Sequence, residues 1–189
     1  MQDWDDDKLL ASIAGGDEAA TQLLVDRHLS RALALSYRML RDHGEAEEVS
    51  QDAFLRVWKM APKWEPGRAK FTTWLHRVVT NLCIDRLRKR RTVQLDEDFD
   101  MPDDSPDPEA TLVQGELSGR VKEAVDKLPD RQKTAILLSH YQGMSNTETA
   151  EIMDVSIEAV ESLLARGRRA LKKTLKPEWD DIQGAAFTT

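Results

Sequence analysis

The chain has 189 residues with 27 Lys or Arg against 34 Asp or Glu, a formal charge of -7, and its 40% hydrophobic, 32% charged and 6% aromatic composition fits small helical bundles better than a large β-sandwich. No run reaches the roughly 18 apolar residues of a membrane span, and Met1 to Lys8 is acidic where a secretory leader is basic, so a cytoplasmic protein without membrane insertion is expected. The single cysteine, Cys83, cannot close an internal disulfide, and without Cys-x-x-Cys or paired-His spacing neither a metal nor a cofactor is expected.

Leu9, Leu10 and Ile13 predict a short amphipathic helix interrupted at Gly15-Gly16. Leu23, Leu24, Leu33, Leu35 and Leu40 keep helical spacing up to His43-Gly44, where Gly44 is expected to act as the stop. A third helix, about Glu45 to Met60, has Ala46, Val49, Ala53 and Val57 on one face and Glu48, Gln51, Asp52 and Leu55 on another. After the breaker Pro62 to Gly67, a fourth helix is expected to turn Phe71, Trp74, Leu75, Val78, Leu82 and Leu87 toward a core, and it ends in the cations Arg86, Arg88, Lys89, Arg90 and Arg91. Thr73, Arg77, Asn81, Asp85 and Arg88 share its other face. Amides and arginines beside aromatic residues suit melted single strands, whose bases can be stacked and hydrogen-bonded on their pairing edges; Asn81 and Asp85 equally suit local pairing, and Trp58, Trp64 and Trp74 a core.

Thr92 to Pro108 is acidic and carries three prolines, as a flexible linker does. Fully extended it reaches roughly 55 Å, more than the about 34 Å of one duplex turn. Helical spacing resumes from Glu109 through Leu112, Leu117, Val121, Val125 and Leu128, and Pro129 can open the next helix, which ends at Gly143. Ser145 and Glu148 have capping-box spacing before a short helix, Asn146 to Met153. Asp154-Val155 turns the chain, and Ser156 can cap a last helix with Ile157, Val160, Leu163, Leu164 and Leu171 as its buried stripe. Short helix, turn and longer helix is the helix-turn-helix outline, which many proteins share for packing alone.

Charge is segregated along this plan. Residues 61–95 carry 9 basic and 2 acidic side chains, residues 96–118 carry 0 and 9, and residues 119–177 carry 11 and 8. Charges more than about 8 Å apart are largely screened at physiological salt, so an acidic total does not exclude nucleic acid at a basic face. The expected fold is all-α: two small helical domains, 1–91 and 109–177, joined by the flexible acidic linker 92–108 and followed by a tail, 178–189, with the helix-turn-helix in the second domain.

GEAEEVSQDAFLRVW, FTTWLHRVVTNLCIDRLRKRR and LPDRQKTAILLSHYQGMSNTETAEIMDVSIEAVESLLARGRRALKK resemble, in that order, regions two and four of bacterial RNA polymerase sigma factors, and more narrowly the extracytoplasmic-function group that keeps only those two domains. The resemblance implies a transcription initiation factor without enzymatic activity, which binds core RNA polymerase and promoter DNA and is commonly silenced by an anti-sigma factor, in a stress or environmental response. It assigns core polymerase binding to Glu48, Gln51, Asp52 and Arg56. It assigns the minus-ten element to Lys63, Trp64, Arg68, Lys70, Phe71, Arg77, Asn81, Asp85 and Arg88, with the loop Trp64 to Phe71 capturing an extruded base. The minus-thirty-five element falls to Ser156, Glu158, Glu161, Ser162, Ala165, Arg166, Arg169 and Lys173. Glu161 stands where many relatives carry a cation. A glutamate can accept from the amino group of cytosine, so Glu161 either reads a cytosine or pairs with a neighbouring arginine. The acidic linker imitates nucleic acid near the polymerase exit path, shields the basic faces before core binding, or serves solubility.

Two other functional classes make different demands. An operator-binding response regulator needs an α/β receiver in the first ninety residues, which the helical periodicity does not support. An enzyme needs a framed nucleophile, metal pair or phosphate loop, and none is present; His28, His43, His76 and His140 are expected as packing or surface residues, and Cys83 as a small buried hydrophobe.

Overall fold

A computed structural model describes residues 4–96 and 115–186. Most of the linker (97–108), residues 109–114 and the last three residues of the tail lie outside the described residues. Eight helices are described: α1 (Asp6–Ala14), α2 (Glu18–Leu40), α3 (His43–Met60), α4 (Phe71–Asp96), α5 (Gly115–Asp126), α6 (Asp130–Ile136), α7 (Asn146–Met153) and α8 (Ile157–Ala186). Among the described residues there is no strand, which leaves no α/β receiver, and no helix is long and apolar enough to cross a membrane. The helices gather into two compact units, with α1 to α4 in the first and the main body of the second on α5, α6 and α8.

In the first unit three helix starts are capped by chemistry visible in the sequence. Asp5, Asp17 and Asp42 accept from the backbone N–H groups of Lys8, Ala20 and Glu45 at the starts of α1, α2 and α3. Asp42 also corrects the expected stop at Gly44. Arg41 takes a left-handed φ of 58° and its N–H returns to Tyr37 O, so α2 ends at Leu40 and Gly44 lies in the first turn of α3. Leu9, Leu10, Leu24, Leu35, Val49 and Val57 are fully buried between the helices, and α2 packs on α1, α3 and α4.

The buried side of α4 differs from the expected stripe. Phe71, Leu75 and Leu82 do face the core, but Trp74, Val78 and Leu87 are only half-buried, and Thr73, His76, Val79, Thr80 and Cys83 complete the interior. Thr73 therefore does not belong to the outward polar face. Hydrophobicity alone misplaces this stripe because a histidine can be buried cheaply when it bonds to its own helix, as His76 Nδ1 does at 2.6 Å from Thr72 O. α4 also continues to Asp96, five residues into the segment expected as linker.

In the second unit α5 and α6 pack on α8. The helix after Pro129 finishes in a π-helical turn, Leu137–Tyr141, before Gly143 at φ 69°. The capping box is formed: Glu148 N–H donates to Ser145 Oγ, and Ser145 N–H donates back to Glu148 Oε2 at 2.9 Å. Asp154 turns the chain at φ 53°, and Ser156 Oγ accepts from Ala159 N–H at the start of α8. Val160 and Leu164 are buried, whereas Ile157 is exposed, contrary to expectation, and Leu163 and Leu171 are partly covered. Gly167 is buried against Ile136, where a Cβ would stand 3.1 Å from Cγ1. α8 runs on through Ala186, beyond the expected domain end at 177.

Candidate functional site

The first unit presents two distinct surfaces. On α3, Ala46, Val49, Ala53 and Val57 turn inward and leave Glu48, Gln51, Asp52 and Arg56 on the outer side. Two of these four are already engaged: Arg86 of α4 lies 2.7 Å from Glu48 and 3.6 Å from Asp52, although both carboxylates keep half or more of their side-chain surface in water. Beside this polar row lies an apolar groove of about 500 Å³ between α2 and α3, lined by Val25, Leu29, Leu33, Phe54, Leu55 and Trp58 with Glu47 and Gln51. Trp58 is 38% and Leu55 47% exposed, so Trp58 lines a groove and is not core. The sequence signal was present, since Leu55 and Trp58 stand three apart and outside the Ala46-Val49-Ala53-Val57 stripe.

The second surface is the outer face of α4 and the loop before it. Arg77, Asn81, Asp85 and Arg88 are exposed at three- and four-residue intervals, with the exposed Ile84 among them and Arg88 3.2 Å from Asp85. The terminal cations divide by helical period. Arg86 and Arg90 lean back, Arg90 binding Glu45 at 2.9 Å and Leu40 O at 3.0 Å, while Arg88, Lys89 and Arg91 stay at the surface. A helix of 3.6 residues per turn cannot present five successive cations to one partner.

In the loop, Lys63, Arg68 and Lys70 are exposed, with Arg68 paired to Glu65 at 2.9 Å. Of the two aromatics that the resemblance assigns to the minus-ten element, Phe71 turns to the core, as its helical spacing predicts, and Trp64 is half-buried. Phe71 is 3% exposed, and the half-buried Trp64 meets Phe71 and Trp74 edge to face while its Nε1–H donates to Asp7 at 2.7 Å. These aromatics build the loop from beneath because burying their rings returns more than exposing them would. Between the loop and the first turn of α1 lies a cavity of about 480 Å³, bounded by Gly67, Lys70, Phe71 and Thr72 on one side and Asp5, Asp6 and Asp7 on the other. Asp6 ties α1 to α2, 2.7 Å from Arg27 and 3.0 Å from His28 Nε2. Burial opposes ionisation of Asp6, but His28 and Arg27 outweigh it and hold the carboxyl below its ordinary range.

The other unreactive candidates fall where packing puts them. His28 and His76 are buried, His43 stacks on Tyr37 at 4.1 Å, and His140 is exposed. Cys83 is fully buried, and desolvation pushes its thiol up to about 12, the opposite of a reactive thiolate.

On the second unit α8 turns Val160, Leu164 and Gly167 inward, which brings Ser156, Glu158, Glu161, Ala165, Arg166, Arg169 and Lys173 to the surface, with Ser162 partly covered. All eight residues assigned by resemblance to the minus-thirty-five element thus lie away from the buried side. The carboxylates occupy the first turns and the cations the later ones.

Comparison with known proteins supplies the frame for both surfaces. The description Sigma-70 region 2 matches residues 24–93, and Sigma-70, region 4 matches residues 118–171. The chain is 34% identical to the ECF RNA polymerase sigma factor SigW of Bacillus subtilis (strain 168), over 89% of this chain and 96% of the relative. It is 33% identical to the ECF RNA polymerase sigma factor SigE of Mycolicibacterium smegmatis (strain ATCC 700084 / mc(2)155), over 86% of this chain and 65% of that relative. The solved structure of CnrH in complex with the cytosolic domain of CnrY is similar at a TM-score of 0.67 and 29% identity, covering 91% of this chain and 97% of that one. With both region matches in order, a full-length relative above 30% identity and the all-helical architecture in common, the chain belongs to the extracytoplasmic-function group of the sigma-70 family of RNA polymerase sigma factors.

Proposed function

We propose that this sigma factor binds core RNA polymerase, selects promoters by a minus-ten and a minus-thirty-five element and directs initiation, while phosphodiester synthesis stays with the polymerase. The observation that carries this reading is that each unit bears its own outward helix face combining arginines with residues that can address bases: Arg77, Asn81 and Arg88 on α4, and Ser162, Arg166 and Arg169 on α8. Lysines and arginines on such faces neutralise phosphates and set register, while shorter polar side chains meet base edges. The α4 face and the loop cavity suit melted strand and an extruded base, whose unpairing costs a few kcal/mol that the pocket must return. α8, preceded by α7 and a tight turn, suits the major groove of duplex.

The α2–α3 groove beside Gln51 and Arg56 is the surface we assign to core polymerase. An apolar groove with exposed Trp58 and Leu55 suits a partner helix laid along it. CnrH, solved with the cytosolic domain of CnrY, gives precedent for a protein partner, and an anti-sigma factor is the regulator we expect here, within a stress or environmental response.

The test is initiation by purified core polymerase on a promoter library, with and without the chain. The expected result is transcripts from defined start points that depend on both promoter elements. Non-specific transcription unchanged by adding the chain sinks the proposal, because an operator-binding regulator does not confer promoter choice on naked core.

A further inference from the structure

α8 opens with two exposed carboxylates three residues apart, Glu158 and Glu161, on the outward side of a helix whose later turns are strongly basic. Like charges at this spacing repel, and both would approach phosphates if the helix entered a groove. Glu158 has a local reason to be there. Its carboxylate accepts from its own backbone N–H and from the Ser156 hydroxyl, which holds it below the ordinary glutamate range, and it stands where the helix dipole favours an anion.

Glu161 has none of these supports. It is the fifth residue of α8, past the unpaired N–H groups of the first turn. Its neighbours at three and four residues are Ile157, Glu158, Leu164 and Ala165, and none is a cation. The first arginine, Arg166, is five residues on and about 140° around the helix. Among the described residues no ion pair or hydrogen bond engages the Glu161 carboxylate. Pairing with a neighbouring arginine, the alternative left open by the sequence, is therefore not what the structure contains.

We propose that Glu161 is a specificity-determining residue that accepts a hydrogen bond from the amino group of a cytosine in the duplex minus-thirty-five element. The proposal rests on α8 being the duplex-reading helix. Given that placement, the early residues of the helix face base edges, and a carboxylate there meets only acceptors on guanine and thymine. Adenine's amino group is flanked by acceptors on both sides, its own N7 and thymine O4, whereas cytosine's has guanine O6 on one side only and its ring C5–H on the other. Ala165, one turn on, is too short to occupy the same space, and Arg166, Arg169 and Lys173 supply the cations that offset repulsion from the backbone.

The test uses the full chain with core polymerase and a promoter library randomised across the minus-thirty-five element with a fixed minus-ten element. Wild type, Glu161→Gln and Glu161→Ala are compared, with circular dichroism melting to show that the exposed substitutions leave the fold intact. Wild type is expected to favour cytosine at one position by roughly fivefold or more. Glu161→Gln is expected to move that preference to adenine, whose amino group and N7 suit a glutamine, and Glu161→Ala to flatten it, with other positions unchanged. Variants that keep the wild-type base profile, or that gain output equally on every sequence, overturn the proposal, since the carboxylate would then act at most as a general repellent. Failure of the wild type to initiate from any library member would instead strike the sigma-factor function itself and take this inference with it.

Discussion

Asp6 is the residue on which the attachment of α1 depends. It joins Arg27 and His28 of α2, its neighbour Asp7 takes the Trp64 indole N–H, and His28 in turn meets Phe71 edge to face at 5.1 Å. One turn of acidic helix thereby props the loop that precedes α4. Because the folded protein holds the Asp6 carboxyl below its unfolded value, the contribution is complete above the unfolded pKa near 3.9 and is lost as pH falls through the lower folded value. Tryptophan fluorescence of the wild type should show an acid step at or below about pH 4 that Asp6→Asn lacks. The variant should already be less stable at neutral pH; equal stability at pH 7 would show that Asp6 does not hold α1 in place.

At the scale of elements, the helix-turn-helix depends on close approach as much as on capping. Gly167 lets Ile136 of α6 come close to the backbone of α8, and a side chain there must displace that interior isoleucine. Alanine would gain about 1 kcal/mol of helix propensity against that clash, so its net effect is small. Leucine has no such balance, and Gly167→Leu is expected to destabilise the second unit by roughly 1–3 kcal/mol, in the range for overpacked interiors. Chemical denaturation followed by circular dichroism checks this, and an unchanged midpoint would mean that the α6–α8 contact is loose.

Over the whole molecule, basic segments and an apolar groove occupy different parts of the described residues. Basic side chains are concentrated in residues 61–95 and late in α8, while the α2–α3 groove is apolar with an acidic edge. On the reading proposed above, nucleic acid would meet the basic side chains and a protein partner the groove. If the groove docks core polymerase, Trp58 has the character of an interface anchor, large, partly exposed and amphipathic. Trp58→Ala should then weaken competition with labelled wild type for core polymerase by about thirtyfold, the equivalent of about 2 kcal/mol. Its melting temperature should change little, because the ring is not part of the core. Undiminished competition would move polymerase docking elsewhere, and a large fall in melting temperature would make Trp58 structural.

Much of this architecture was legible in the residues because helical order is local. Asp5, Asp17, Asp42 and the Ser145-Glu148 box start helices through bonds that span three positions, and the Ala46-Val49-Ala53-Val57 stripe repeats with the turn of one helix, so sequence by itself determined an all-helical chain and the outward face of α8. Tertiary structure decided what no single helix contains: that the Trp64 indole is tied to Asp7 of α1 and packed on Phe71 and Trp74, that Arg86 and Arg90 leave the basic run to bind acids of α3, that Leu29, Leu55 and Trp58 meet as one groove, and that Gly167 admits Ile136. Each of these depends on which neighbour fills the space beside a residue, and such spaces form only when helices far apart in the chain are packed together.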